Sequence, residues 1–254
     1  MSNIDYELLA TRVYDASSTN RTEVPEGWQE LVWQKDYLAT GFSAGAYRKG
    51  SDVVIAYAGT NQIGDWLNGN SAALGLPAPQ VFDAMRFYLD VKAANPDATS
   101  FSFTGHSLGG GLASLMAVFF DKQATVFDEA PFQMTAIDPL LLSALEVSLL
   151  ATGYTDPDFA AYNASFATLF PFRENNVNHT YLDGEILAPV RFVFPTIAGT
   201  DVSLSMGDST LSALDKHAMA LLTAMEGNTE FASLVQQLPN FATYLLDSAW
   251  FGVT

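Results

Sequence analysis

Cysteine is missing from the entire chain, so neither a disulfide framework nor a thiolate zinc site can hold it together, and its redox compartment stays open. Histidine is nearly as scarce. Only His106, His179 and His217 occur, which leaves three candidates for any imidazole chemistry. Basic residues are few as well: 11 Lys and Arg face 28 Asp and Glu, a net charge of −17. That balance disfavours nucleic acid or an anionic membrane as a partner held by charge. Long apolar runs are also lacking; Ala113–Phe120 is much too short to span a bilayer.

The first residues, Met1 to Glu7, contain no basic patch followed by an apolar stretch, so no cleavable leader is expected. Glycine-aspartate repeats, which accompany C-terminal export signals in some acidic bacterial proteins, are missing too. The expected address is the bacterial cytoplasm, or export without an N-terminal signal, unless a signal lies in a longer parent chain. Internal repeats, charge blocks and low-complexity linkers do not occur, and the 254 residues are expected to form a single domain. A chain of this size buries about 70–75% of its unfolded surface. Its 49% apolar and 13% aromatic content supplies the core that such burial needs.

Strand and helix signals alternate along the chain. Gly41–Lys49, the turn Lys49-Gly50-Ser51-Asp52 and the apolar run Val53–Ala58 read as a hairpin whose second strand is buried on both faces. Val81, Met85, Tyr88 and Leu89 recur at helical spacing before the stop at Asn95-Pro96. A strand at Phe101–Thr104, a glycine-rich turn, a helix from Leu108 to Phe120 and a strand at Ala124–Phe127 form a βαβ unit. Helices are expected at Leu140–Leu150 and Phe159–Phe170, then strands at Val177–Leu187 and Val190–Phe194. Further helices at Leu211–Met225 and Glu230–Leu246 close the domain. This order predicts an α/β fold with a mostly parallel central sheet and helices on both faces.

The chemistry is concentrated in Gly105-His106-Ser107-Leu108-Gly109, set between that strand and that helix. A serine on so sharp a turn requires small neighbours two positions away, and Gly105 and Gly109 supply them. The turn lifts the hydroxyl above the carboxyl end of the sheet and toward the first amides of the next helix, where negative charge on an ester oxygen is stabilised. The plain alternative is a glycine-rich turn used only for packing.

A neutral serine needs a base. His106 adjoins the nucleophile, and its side chain should point away from the hydroxyl; we assign it to substrate contact. In this kind of fold the chain order is Ser, acid, His, which favours His217 over His179. The acid lies between: Asp183 and Glu185 end a strand, Asp128 and Asp138 come one unit earlier, and Asp201 and Asp208 read as solvated turn residues.

Two blocks resemble the class 3, fungal-type lipases and their bacterial relatives. One is Val53–Thr60 followed by Asp65-Trp66-Leu67-Asn68; the other is Thr104-Gly105-His106-Ser107-Leu108-Gly109-Gly110-Gly111-Leu112-Ala113. The likeness covers about Gly41–Phe127. It implies an α/β-hydrolase fold with a helical lid-like insertion. It also implies an oxyanion hole from the Thr60 and Leu108 amides, and a lid segment near Trp66. Trp66 is thus a substrate-side residue or, equally, a core anchor. The cover segments considered are 61–79, beside that position, and 138–172, an added helical stretch that departs from the family. The second could instead be a helical pair packed on the core.

The family's Asp followed by two apolar residues and Pro is echoed by Glu185-Ile186-Leu187-Ala188-Pro189, whereas Asp183 has the expected residue type but precedes Gly184. Glu185 is preferred, with Asp183 kept open. Ala58 stands where the family usually has Arg. The expected activity is carboxylic-ester hydrolysis on a lipid or small ester through an acyl-enzyme, with transient contact to a lipid interface. It needs no metal or organic cofactor. Acyl transfer by the same triad and a non-catalytic hydrolase-fold binding module are the alternatives. The oligomeric state is open.

Overall fold

In the computed structural model, residues 2–14, 21–37, 40–59, 75–191, 200–205, 211–228, 230 and 232–233 are described. Among them, seven strands form one sheet in chain order: β1 (Gln29–Tyr37), β2 (Phe42–Lys49), β3 (Asp52–Tyr57), β4 (Ser100–His106), β5 (Gln123–Phe127), β6 (Val177–Leu182) and β7 (Thr200–Leu204). The first three pair antiparallel; from β3 to β7 every pairing is parallel. Gly50, at a φ of 64°, turns the β2–β3 hairpin in the predicted place.

Parallel neighbours need crossovers, and helices supply them: α2 (Ala78–Ala94) between β3 and β4, and α3 (Leu108–Phe120) between β4 and β5. Beyond β5 come α4 (Gln133–Ala136), α5 (Pro139–Ala151) and α6 (Pro157–Arg173), then β6 and α7 (Ala188–Arg191). After β7 lie α8 (Ala213–Lys216) and α9 (Met219–Gly227), while α1 (Asn3–Arg12) precedes the sheet.

Both faces of the sheet are covered, which explains the unbroken apolar run in β3. Val53, Ile55 and Tyr57 join the large core under α2 and α3, whereas Val54 and Ala56 pack with Leu9 and Val13 at the end of α1. The period-two alternation of a strand thus feeds two cores at once. Helix α3 is buried along its whole length. Its Phe119 and Phe120 lie against Phe159 of α6, and Tyr162 donates a hydrogen bond to the Ala136 carbonyl at 2.8 Å.

The segment 138–172 is therefore built into the core through Leu142, Leu145, Leu149, Phe159 and Tyr162. It is a packed helical pair on its inner side. Asp138 and Asp156 cap α5 and α6 by accepting amide hydrogen bonds from their first turns. Helix α6 is interrupted at Ser165, whose φ of −144° and ψ of 28° turn the chain back toward β6.

Some elements differ from the sequence reading. The expected strand from Val177 ends at Leu182, because Gly184 turns the chain with a φ of 73°. Val190 lies in helix α7 rather than in a strand, and the remainder of that expected strand falls outside the described residues. The helix expected over Leu211–Met225 is two helices, broken at His217 and Ala218. Most of the helix expected from Glu230 also lies outside the described residues, as do residues 61–74 of the first expected cover segment; its last residues, 75–79, lead into α2. No helix among the described residues is long and apolar enough to cross a membrane.

The parallel register places the carboxyl ends of β3, β4, β5 and β6 side by side: Tyr57 pairs with Gly105, His106 with Phe127, and Phe127 with Thr180. In open parallel sheets this edge is where ligands bind.

Candidate active site

Strand β4 ends at His106 and α3 begins at Leu108, so Ser107 alone makes the turn. Its φ of 57° and ψ of −128° are a conformation that a residue with a side chain rarely adopts. Three hydrogen bonds fix it. The Ser107 amide donates to the Phe127 carbonyl at 3.0 Å, and the Ser107 carbonyl accepts from Gly111 at 3.1 Å and from Ala130 at 2.9 Å.

Steric fit over-determines the same turn. A methyl group on Gly105 would lie 2.4 Å from the Gly109 carbonyl, and one on Gly109 would lie 2.1 Å from the Tyr57 carbonyl oxygen. Strain of this kind persists only where packing leaves no alternative, and it gathers at functional positions. The Ser107 hydroxyl is buried and has no hydrogen-bond partner among the described residues.

His217 occupies the break between α8 and α9 and is 5% exposed. Its ring lies beside that of His106, with centroids 4.6 Å apart, which brings it to the nucleophile turn from 110 residues further along the chain. Glu185, 1% exposed in the turn after β6, receives a hydrogen bond from His217 Nδ1 at 2.7 Å. The same Oε2 atom accepts the Leu187 amide at 2.7 Å. With Nδ1 donating to the carboxylate, Nε2 carries the lone pair, and it too is buried without a hydrogen-bond partner among the described residues. Among the described residues, a buried hydroxyl and a buried imidazole nitrogen, neither with a hydrogen-bond partner, thus lie at the same sheet edge, an arrangement that could supply a nucleophile and its base.

The other candidates are placed elsewhere. Asp183 is exposed and accepts a hydrogen bond from the Ser203 hydroxyl, tying β6 to β7. His179 lies within β6, its Nδ1 3.0 Å from Glu129 Oε1 in a pair of which each member is about 1–2% exposed. Asp128, at a φ of 42°, accepts the Leu182 amide at 2.9 Å and joins the ends of β5 and β6. Asp138 caps α5, and Asp201 lies in β7. Thr60, Trp66 and Asp208 fall outside the described residues. Leu108 is buried as the first residue of α3.

His106 corrects the sequence reading: both ring nitrogens are engaged inside the protein rather than offered to a substrate. Nε2 donates to the His217 carbonyl at 2.8 Å, and Nδ1 lies 3.0 Å from the Tyr14 hydroxyl. Burial first, and then the proximity of His217, hold its pKa well below the usual imidazole value. It is therefore neutral at pH 7. Tyr14 had no signal in the sequence, since 92 residues separate it from His106 and nothing in its surroundings announces the contact.

One group of possible metal-binding side chains occurs among the described residues: His106, Asp128 and His217, whose ligand-type atoms lie within 4.8 Å of one another. With Nε2 of His106 donating to a carbonyl and Nδ1 of His217 donating to Glu185, this cluster is wired for hydrogen bonding. A cation would need His106 Nε2 to release the carbonyl it already holds.

A family model for a Tle-like phospholipase domain matches residues 5–144, just over half of the chain. The chain belongs to that family. Across 205 residues it is 29% identical to an extracellular phospholipase A1 of Serratia liquefaciens, a match that covers 79% of this chain. It spans 58% of that relative's length. Among solved structures, lipase II of Rhizopus niveus is 14% identical with a TM-score of 0.48, over 81% of this chain and 80% of its own. A triacylglycerol lipase of Penicillium expansum is also 14% identical, with a TM-score of 0.42 over 82% and 79% of the two chains.

The family domain's matched stretch contains most of α1, the hairpin, the Ser107 turn and α4, but ends before Glu185 and His217. The carboxylate and the imidazole are supplied by residues beyond it.

Proposed function

We propose that this domain hydrolyses carboxylic esters of lipids, with the acyl ester of a glycerophospholipid as its substrate. The observation that carries the reading is that strained, buried Ser107 lies at the same sheet edge as an imidazole that Glu185 holds at 2.7 Å. Membership in a phospholipase domain family supports the choice of substrate class. The name of the Serratia relative, a phospholipase A1, points further to the ester at the first glycerol position.

In the proposed reaction, His217 Nε2 takes the Ser107 proton as the hydroxyl oxygen attacks the ester carbonyl. The resulting oxyanion is bound by the Leu108 amide at the start of α3 and by the Thr60 amide. Collapse breaks the bond to the glycerol oxygen, which leaves with the proton held by His217, and an acyl-serine remains. Water then gives a proton to His217 and attacks the acyl carbonyl, releasing the fatty acid and restoring Ser107. Glu185 fixes the imidazole tautomer and stabilises its charged form throughout. No proton or electron is required from outside the substrate, water and these side chains.

The −17 charge and the scarcity of Lys and Arg favour a zwitterionic or neutral lipid surface over an anionic one. The test is hydrolysis of a phosphatidylcholine bearing different acyl chains at its two positions, with products weighed by mass spectrometry. Release of the first-position acid by the wild type, and none by Ser107→Ala, is expected. Absence of hydrolysis together with failure of a fluorophosphonate to label Ser107 would refute the reading.

A further inference from the structure

His106 and Tyr14 form a chain of contacts that the proposed reaction does not use. The carbonyl of His217 can only accept, so at 2.8 Å it fixes the hydrogen of His106 on Nε2. In the neutral ring, Nδ1 is then an acceptor. The Tyr14 hydroxyl lies 3.0 Å from it and 2.9 Å from the His106 carbonyl oxygen, and donates toward both. The phenol oxygen also lies against Gly59, two residues beyond β3, where a methyl group would meet it at 2.2 Å. Tyr14 sits two residues beyond α1. One hydroxyl thus joins three segments: the chain after α1, the end of β3 and the nucleophile turn.

We propose that Tyr14 and His106 are positioning residues for the base: His106 Nε2–H anchors the His217 backbone beside the Ser107 turn, and the Tyr14 hydroxyl, donating to Nδ1, reinforces the tautomer that keeps this hydrogen on Nε2. The inference rests on the reading of Ser107 and His217 as nucleophile and base. It adds a reason why the residue before the nucleophile is an imidazole. A ring is needed to lie against His217, at 4.6 Å between centroids, and a donor is needed on its far edge. The ring must also remain neutral, because a second positive charge there would oppose the imidazolium that His217 becomes. Burial keeps it so.

His217 is well suited to such an anchor. It lies in the break between two short helices, where its own amide donates to Leu214 and no regular ladder holds its carbonyl. Without the His106 donor, the backbone at this break loses its tie to the sheet. A base displaced by about 1 Å costs about 10²-fold in rate.

The experiment measures the rate of fluorophosphonate labelling at Ser107, with thermal unfolding, for the wild type, Tyr14→Phe, His106→Phe and His106→Gln. Gln can present an N–H near the position of Nε2, whereas Phe keeps a ring but no donor. His106→Phe is expected to label about 10²-fold more slowly, and Tyr14→Phe about 10-fold more slowly, each at near wild-type unfolding temperature. His106→Gln should recover most of the loss. The same variants should lower kcat on a soluble nitrophenyl ester while KM stays within about twofold, the signature of a misplaced base rather than a damaged binding pocket.

Wild-type labelling rates in folded Tyr14→Phe and His106→Phe would overturn the proposal, and so would a His106→Gln variant no faster than His106→Phe. If His106→Phe fails to fold, the labelling rate of Tyr14→Phe decides alone. A wild type that does not label would instead refute the serine-hydrolase reading, an outcome distinguishable from all of these.

Discussion

The turn at Ser107 and the segment that carries His217 meet at one edge of the sheet, yet different forces dominate in holding them. Residues 105–111 are fixed by contact: a methyl group on Gly105 or Gly109 would strike backbone, and α3 behind them is buried end to end. His217 is fixed by hydrogen bonds, through Glu185 at one ring nitrogen and His106 at its carbonyl, between two helices of four and nine residues. The comparison teaches how such a site divides its labour. The strained group is seated in close-packed core, which holds it in one geometry. The group that must give and take protons is seated on polar contacts that orient a tautomer.

Removing the nucleophile should have the largest effect. Ser107→Ala is expected to lower kcat by about 10⁴–10⁶-fold and abolish fluorophosphonate labelling, with the unfolding temperature unchanged. Next is the acid. Glu185→Gln should cost about 10²–10⁴-fold in kcat, because an amide in its place no longer enforces the tautomer that frees Nε2. Equal activity in Glu185→Gln would break the hydrogen-bonded half of the comparison.

On the close-packed half, Gly109→Ala should destabilise the protein by about 3 kcal/mol or more, read by urea unfolding, since the new methyl meets the Tyr57 carbonyl. A stably folded Gly109→Ala protein would show that the turn can yield.

A smaller effect concerns pH. His106 has a folded-state pKa well below the unfolded value of 6.5, so between pH 6.5 and that lower pKa the unfolded chain binds a proton that the folded chain refuses. Stability is therefore full above pH 6.5 and falls as the solution is acidified, by at most about 1.4 kcal/mol per pH unit from this one group. Unfolding at pH 7.5 and 5.5 should show a shallower loss in His106→Gln than in the wild type. The smallest change is expected for Asp183→Asn, within about twofold in activity, since its carboxylate bonds Ser203 at the surface.

Much of the fold was legible because its determinants are local. The hairpin, the βαβ unit and the span of α3 follow from alternation, turn residues and helical spacing over a few positions each. Strand β1 and helix α1 were not read from the sequence. Their apolar residues are interspersed with charges, and it is the sheet beneath Leu9 and Val13 that makes sense of them. The helix expected over Leu211–Met225 hid its break, because nothing in the periodicity reveals that His217 is drawn inward by Glu185 and His106.

By itself, then, the sequence determined the α/β alternation, the elbow that demands glycine on both sides of Ser107, and the short list of groups able to serve it. Each is a matter of sterics or chemistry within a handful of residues. Tertiary structure alone separated Glu185 from Asp183, two carboxylates two positions apart: the turn at Gly184 sends one inward to His217 and leaves the other exposed. It alone also joined Tyr14 to His106. Such choices depend on where the chain returns after a hundred residues, and hydrogen bonds formed across that distance leave no periodic trace.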